Sequence, residues 1–247
     1  MLTYLMQRSG VTSGWLLLAI AGVAVVSYAL GCCNGAVMVS RGILKDDIRK
    51  HGSGNGGLTN FCRIHGGILS VLVILIDVLK AVFSLLLAGY LFGQLSPELV
   101  TFGKYWAGLC CILGHMFPIT FQFKGGKGAM SSGAISLMID WRLALVIWGC
   151  FLICVILTRY ISLGSCVAAL AFPIASILIF RDPVITVISI VMGALVIFKH
   201  RGNILRLVKG TESKFTFKWG NKTLLANKDA SVTEADDAAG SDREETK

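Results

Sequence analysis

Residues 66–92 read GGILSVLVILIDVLKAVFSLLLAGYLF, a run holding two charges, Asp77 and Lys80. A helix needs about 20 apolar residues to cross a bilayer, and this run exceeds that. Its apolar residues neither alternate nor form a stripe opposite a polar face, so the medium around it is lipid. Asp77 and Lys80 stand three apart, on one helix face. Charges at bilayer depth are costly unless paired, so the two are expected to pair, face the bundle and act structurally.

Outward from this run the pattern repeats. Candidate spans cover about 14–39, 66–92, 100–119, 129–139, 143–157, 161–180 and 184–198. The fourth is short for a full crossing and either tilts or starts inside the protein. The expected fold is an all-α integral membrane protein with about seven transmembrane helices. Composition agrees: 15% of the 247 residues are charged and mean hydropathy is +0.73, where a soluble domain carries about a quarter charged. The N-terminus lacks a signal-peptide pattern, because its first apolar run is too long and no small-residue cleavage site follows. Residues 1–220 are expected to form one polytopic membrane domain. Residues 221–247, acidic, small and polar, read as a disordered cytoplasmic tail.

The basic residues sit in short loops, unevenly. Arg41, Lys45, Arg49, Lys50, Arg63, Lys124, Lys127, Arg159, Lys199, Arg201, Arg206, Lys209, Lys214, Lys218 and Lys222 share one side. Arg8, Lys104, Arg142 and Arg181 take the other. The positive-inside rule puts the larger set in the cytoplasm, the N-terminus outside and the C-terminus inside. The net charge of +9 therefore reports topology, anionic lipid and an anionic substrate, with no nucleic acid implied. Eight cysteines show no CxxC or Cys/His ligand spacing, which argues against a zinc site and a disulfide framework.

Three cytoplasmic segments carry the chemistry. In the first, Gly52-Ser53-Gly54-Asn55-Gly56-Gly57-Leu58-Thr59-Asn60 with Arg63, glycines admit positive φ and close approach of an anion. Ser53, Asn55, Thr59 and Asn60 add neutral donors, and Arg63 suits phosphate bidentately. The second is His115-Met116-Phe117-Pro118 with Phe123-Lys124-Gly125-Gly126-Lys127-Gly128. It is not a P-loop, since Phe121 and Gly128 stand where Gly and Ser or Thr are required. A turn of bare N–H groups with two lysines at a helix start still suits phosphate. The third, His200-Arg201-Gly202-Asn203-Ile204-Leu205-Arg206-Leu207 with Gly210 and Glu212, can complete an anion site. Each segment alone also reads more plainly, as a flexible loop, a topology signal or a juxtamembrane basic helix. No HxxxxD acyltransferase signature and no GxSxG are present, so a serine nucleophile has little support. Rival readings are a transporter or channel for phosphorylated anions and a scaffold for anionic lipid.

Together the three segments resemble the bacterial acyl-phosphate:glycerol-3-phosphate acyltransferases, the PlsY family. The family's GSGN-x-G-x-T-N-x-x-R is met from Gly52 to Arg63. Its H-x-F-P-x-x-x-x-F-K-G-G-K-G is met from His115 to Gly128, and its H-R-x-N-I-x-R-L-x-x-G-x-E from His200 to Glu212. Asp77-x-x-Lys80 and Thr158-Arg159-Tyr160-x-Ser162 also match. Departures are Leu58 for a small residue, Thr120 for an aromatic and Ala81 for glycine. The resemblance covers about residues 14–215. It implies transfer of an acyl group from acyl phosphate to the sn-1 hydroxyl of glycerol 3-phosphate, giving lysophosphatidate and inorganic phosphate. It implies a multi-pass protein of the bacterial inner membrane with a cytoplasmic site, no metal or organic cofactor, and the acyl-phosphate-producing enzyme as a partner. Under it, Ser53, Arg63, Lys127, His200 and Asn203 are catalytic. Gly52, Gly54, Asn55, Gly57, Thr59, Asn60, Lys124, Gly125, Gly126, Gly128, Arg201 and Arg206 bind substrate phosphate, and Asp77, Lys80 and Glu212 are structural.

Overall fold

A computed structural model describes residues 1–215; the expected tail from residue 221 lies outside the described residues. Eleven α-helices are present among them. They are α1 (Leu2–Ser9), α2 (Ser13–Cys32), α3 (Gly35–Gly42), α4 (Leu58–Ile64), α5 (Gly67–Leu95), α6 (Val100–Met116), α7 (Ala129–Ile139), α8 (Trp141–Thr158), α9 (Ile161–Phe180), α10 (Pro183–Lys199) and α11 (Arg201–Val208).

Helix α5 is inside out relative to a soluble helix. Its buried residues, Ser70, Val73, Asp77, Lys80, Ala81, Ser84, Leu85, Ala88 and Phe92, recur at helical spacing and include both charges. Its outward residues include Ile68, Leu75, Leu79, Phe83 and Leu86. Large apolar side chains outside and ionic groups inside are what lipid dictates. Helices α2, α5, α8 and α9 are long and apolar enough to cross a membrane, and α10 with α11, bent by 56°, makes a fifth candidate. At 17 residues α6 and α10 lie at the short end of the spanning range. Helix α7 has 11 residues, about 16 Å of rise, and is too short to span. It starts at Gly128 in the second glycine segment and is followed at once by Asp140, whose carboxylate caps α8 by accepting from Arg142 N–H at 2.8 Å. Seven apolar helices stand where seven crossings were expected, but among the described residues only α2, α5, α8 and α9, with the bent α10–α11 pair as a fifth, are candidate spans by length and composition, and α7 does not supply a crossing.

The first expected run, 14–39, is corrected. The helix breaks at Cys33-Asn34, because α5 supplies partners for both broken ends. Lys80 Nζ donates to Cys33 O at 3.0 Å and Gly31 O at 3.4 Å at the end of α2. Asp77 Oδ1 accepts Gly35 N–H at 3.2 Å at the start of α3, and Asn34 Oδ1 caps α3 through Val37 N–H. A cation at a helix C-terminus and an anion at an N-terminus both complement the helix dipoles, so the ion pair stabilises the break. Elsewhere at this end, Lys199 Nζ donates to Met116 O at 2.9 Å and caps α6.

Close crossing of α2 and α6 fixes their spacing. A Cβ at Gly114 would stand 2.2 Å from Tyr28 O, and one at Gly31 2.3 Å from Cys111 O. Membrane helices pack through such small residues. Helices α2, α5 and α6 form one group, α9 packs between α8 and α10, and α7 bridges α5 to α8. Far from the glycine segments, Arg8 of α1 bonds Glu98 and Asp182.

Candidate functional site

Segment one is shaped by a single buried amide. Asn60 Nδ2 donates to the carbonyls of Ile48, His51 and Asn55, and its Oδ1 accepts Ser53 N–H at 2.9 Å. With these bonds made, Asn60 organises the loop. Gly52 and Gly54 adopt φ of +57° and +69°, left-handed conformations that favour glycine. Arg49 then ties this loop to segment two: its Nη1 donates to Phe121 O at 2.9 Å and Lys124 O at 3.0 Å, while Asp47 grips its other edge. Hydrogen bonds from Arg49 hold the Asp47 carboxyl well below the usual carboxylate range, although burial opposes this.

Segments two and three meet in a wall of polar side chains. Lys127 Nζ donates to Asn203 Oδ1. Asn203 Nδ2 donates to Glu212 Oε1 at 2.6 Å, Ser162 Oγ donates to the same oxygen at 2.8 Å, and Arg206 Nε donates to Oε2 at 2.7 Å. Burial pushes the Glu212 carboxyl up, but these three donors outweigh it and hold the carboxyl below its ordinary value. Burial, with Arg206 next, lowers Lys127 to about 8. Just beyond the end of α10, burial lowers His200 to about 4, so its ring is neutral near pH 7. Its Nδ1 lies 2.8 Å from Val196 O; a carbonyl only accepts, so Nδ1 carries the proton and Nε2 a lone pair. Across the opening Arg63 Nη2 donates to Ser213 Oγ at 2.6 Å.

The floor is built from the spans. Asp77, Lys80 and His115 are 1%, 4% and 3% exposed. Lys80 Nζ lies 2.7 Å from Asp77 Oδ1 and 2.7 Å from His115 Nδ1. The expected pairing of Asp77 with Lys80 is therefore present, with a histidine added.

One cavity of about 620 Å³ joins wall, loop and floor. Ser53, Asn55, Gly57, Thr59, Asn60, Arg63, Lys127, Gly128, His200, Asn203, Arg206 and Glu212 line it, as do Asp77 and His115. Toward the hydrocarbon it continues between α7, α8, α9 and α10 along Trp148, Phe151, Ala169, Phe172 and Met192. Six expected phosphate ligands stand off its lining: Gly52, Gly54, Lys124, Gly125, Gly126 and Arg201. The physical reasons are local. Lys124 is exposed. Arg201 turns back onto Phe198, donating to its carbonyl at 3.1 Å and lying 4.3 Å from its ring. Gly125 and Gly126 pack on His115, where added Cβ atoms would stand 2.0 Å and 2.2 Å from its atoms, and Gly126 N–H is already bonded to His115 O. Sequence reasoning missed Arg49, which it counted only for topology, and it quoted His115 within segment two without giving it a role. The charge pair Asp47/Arg49 was the available signal for the first, and the place of His115 at the head of segment two for the second.

A basic mouth opening onto a channel of apolar side chains is a site suited to a phosphorylated group and an acyl chain together. Residues 21–210 match the profile of the glycerol-3-phosphate acyltransferase family. A glycerol-3-phosphate acyltransferase of Thermoanaerobacter pseudethanolicus is 35% identical over 200 residues, 81% of this chain and 96% of the relative. One from Mesorhizobium japonicum is 38% identical over 194 residues, 78% and 95% of the two chains. The crystal structure of PlsY, an integral membrane glycerol 3-phosphate acyltransferase, in its glycerol 3-phosphate form superposes with a TM-score of 0.70 at 31% identity, covering 80% of this chain and 96% of that one. Its lysophosphatidic acid form gives 0.67 at 32%, covering 80% and 95%. This chain belongs to the glycerol-3-phosphate acyltransferase family, as an integral membrane acyltransferase of the PlsY type.

Proposed function

We propose that the protein transfers an acyl group from acyl phosphate to the sn-1 hydroxyl of glycerol 3-phosphate, releasing lysophosphatidate and inorganic phosphate, at the start of bacterial membrane phospholipid synthesis. The observation that carries this is the single cavity in which Arg63, Lys127 and Arg206 face an apolar channel. Two phosphorylated substrates bring roughly −3 to −4 of charge, which the three cations suit. Lys127 and the Ser53–Gly57 loop hold the donor phosphoryl group; Arg63 and Asn203, with His200, orient glycerol 3-phosphate; the acyl chain lies along Phe151 and Phe172. The site faces the cytoplasm of the inner membrane, where a separate acyl-phosphate-producing enzyme supplies the donor.

An acyl phosphate is a mixed anhydride with a good leaving group, so no acyl-enzyme is required. The glycerol hydroxyl oxygen bonds to the acyl carbon, the bond from that carbon to the phosphate oxygen breaks, and orthophosphate leaves. Positioning and charge stabilisation supply the rate. The hydroxyl proton goes to a substrate phosphate, with His200 Nε2 as the competing acceptor. A transporter would carry ionisable groups at depth in several helices; within the described spans the charged pair is Asp77 with Lys80, already neutralised. Purified protein given radiolabelled acyl phosphate and glycerol 3-phosphate is expected to release orthophosphate and labelled lysophosphatidate in equal amounts. If neither product forms, this reading is wrong.

A further inference from the structure

The cavity floor holds a hydrogen-bond donor that the reaction scheme above leaves unused. Lys80 Nζ is an ammonium, with hydrogens to give and no lone pair to accept. Since it stands 2.7 Å from His115 Nδ1, Nδ1 must be the acceptor. A neutral imidazole accepting at Nδ1 carries its proton at Nε2. Lys80 cannot swing away, because Asp77 Oδ1 at 2.7 Å and Cys33 O at 3.0 Å take its other two hydrogens. Asp77 is itself fixed by Gly35 N–H. The backbone groups of Cys33 and Gly35, with the Asp77 carboxylate between them, thus lock one tautomer.

The Nε2–H so defined has no hydrogen-bond partner among the described residues, although His115 is 3% exposed. A buried donor left unpaired costs about 1–3 kcal/mol, so an open one facing a cavity is waiting for an acceptor. His115 lines the cavity. Nε2 lies under the backbone of Gly126, one residue from Lys127, and any side chain at Gly126 would cover it, since a Cβ there would stand 2.2 Å away. Gly57 approaches the same point, its Cβ position 3.8 Å from Gly126 Cα. The donor therefore sits below the two loops, where the polar mouth meets the channel, and the carbonyl joining a phosphate to an acyl chain belongs at that junction.

We infer that His115 Nε2–H is the donor that stabilises the acyl carbonyl oxygen as it becomes negative during transfer, held in the required tautomer by Lys80 and Asp77. His115 gives up no proton; it is a fixed dipole aimed at developing charge. This rests on the acyl-transfer reading of the cavity and adds to it a catalytic residue and two positioning residues.

The test uses purified full-length protein in detergent. His115→Phe keeps the ring volume and removes the donor. It is expected to lower kcat about 10²–10³-fold, with the KM of both substrates within about threefold and the thermal unfolding midpoint near wild type. Lys80→Met releases the tautomer and is expected to lower kcat by a smaller factor with KM unchanged. Should these variants fail to fold, 15N-histidine NMR of the wild type decides, with Nδ1 unprotonated and Nε2 protonated as the expected result. A folded His115→Phe enzyme with kcat within about threefold of wild type, or an Nδ1-protonated ring, overturns the inference. Wild-type turnover measured alongside separates the two claims: an inactive wild type condemns the acyl-transfer reading, whereas an active wild type with an equally active variant condemns only His115.

Discussion

Lys127 lines the cavity from its wall and Lys80 stands behind its floor, and their surroundings give them different tasks. Each stands in a relay that includes a carboxylate. In the wall Glu212 orients Asn203, and Asn203 steadies the Lys127 ammonium, which faces the cavity. In the floor Asp77 holds Lys80, and Lys80 is buried behind His115, so that a neutral N–H faces the cavity. A half-open site can keep a cation charged and mobile enough to meet phosphate. A site inside the bundle cannot keep a free charge, so its ion pair is closed and only a dipole is presented. The difference teaches how one pocket can present charge at its mouth and still keep an uncharged, apolar interior below.

Lys127→Ala strikes the wall hardest. A loss of about 10³-fold in kcat/KM is expected, read as orthophosphate release, with unfolding unaffected; activity within about tenfold of wild type would show that the facing ammonium is dispensable. Glu212→Ala leaves Asn203, Ser162 and Arg206 without their shared acceptor, each orphaned group costing about 1–3 kcal/mol. It should lower both turnover and the unfolding midpoint in detergent, whereas Glu212→Gln, which keeps an acceptor oxygen, should lose less of both. Arg49→Met frees the loop that carries Lys127. Charged-donor hydrogen bonds are worth about 1.5–3 kcal/mol, so the KM for acyl phosphate should rise about tenfold with kcat little changed; an unchanged KM would place the loop's support elsewhere.

Acidity sharpens the contrast further. Lys127 titrates near 8, so it is charged below that pH and loses its charge above it. The KM for phosphorylated substrates should therefore climb several-fold as pH rises past about 8. Lys127→Arg, charged throughout, should flatten that limb whatever its absolute rate. The smallest effect is expected from His200→Gln. If a substrate phosphate takes the hydroxyl proton, kcat stays within about threefold; a fall of about 10²–10⁴-fold at constant KM would make His200 the base.

Membrane class, helical content, the three segments and their shared site were legible from the sequence. Run length and charge bias are properties of composition, and motif spacing survives without knowledge of packing. What stayed hidden depends on contacts distant in sequence. The break at Cys33-Asn34 reads as continuous hydrocarbon until Lys80, some four dozen residues on, supplies the partner that makes breaking cheap. Gly125 and Gly126 look like an anion cradle, but their lack of side chains serves close approach to His115. Lys124 and Lys127 are alike on paper and differ only in which way the loop turns.

One ammonium, that of Lys80, both seals the interruption between α2 and α3 and sets the ring of His115. Assembly and competence are therefore coupled. A chain whose first three long helices have not yet come together lacks both the sealed break and the locked imidazole, so the donor inferred for the floor exists only once the bundle has closed.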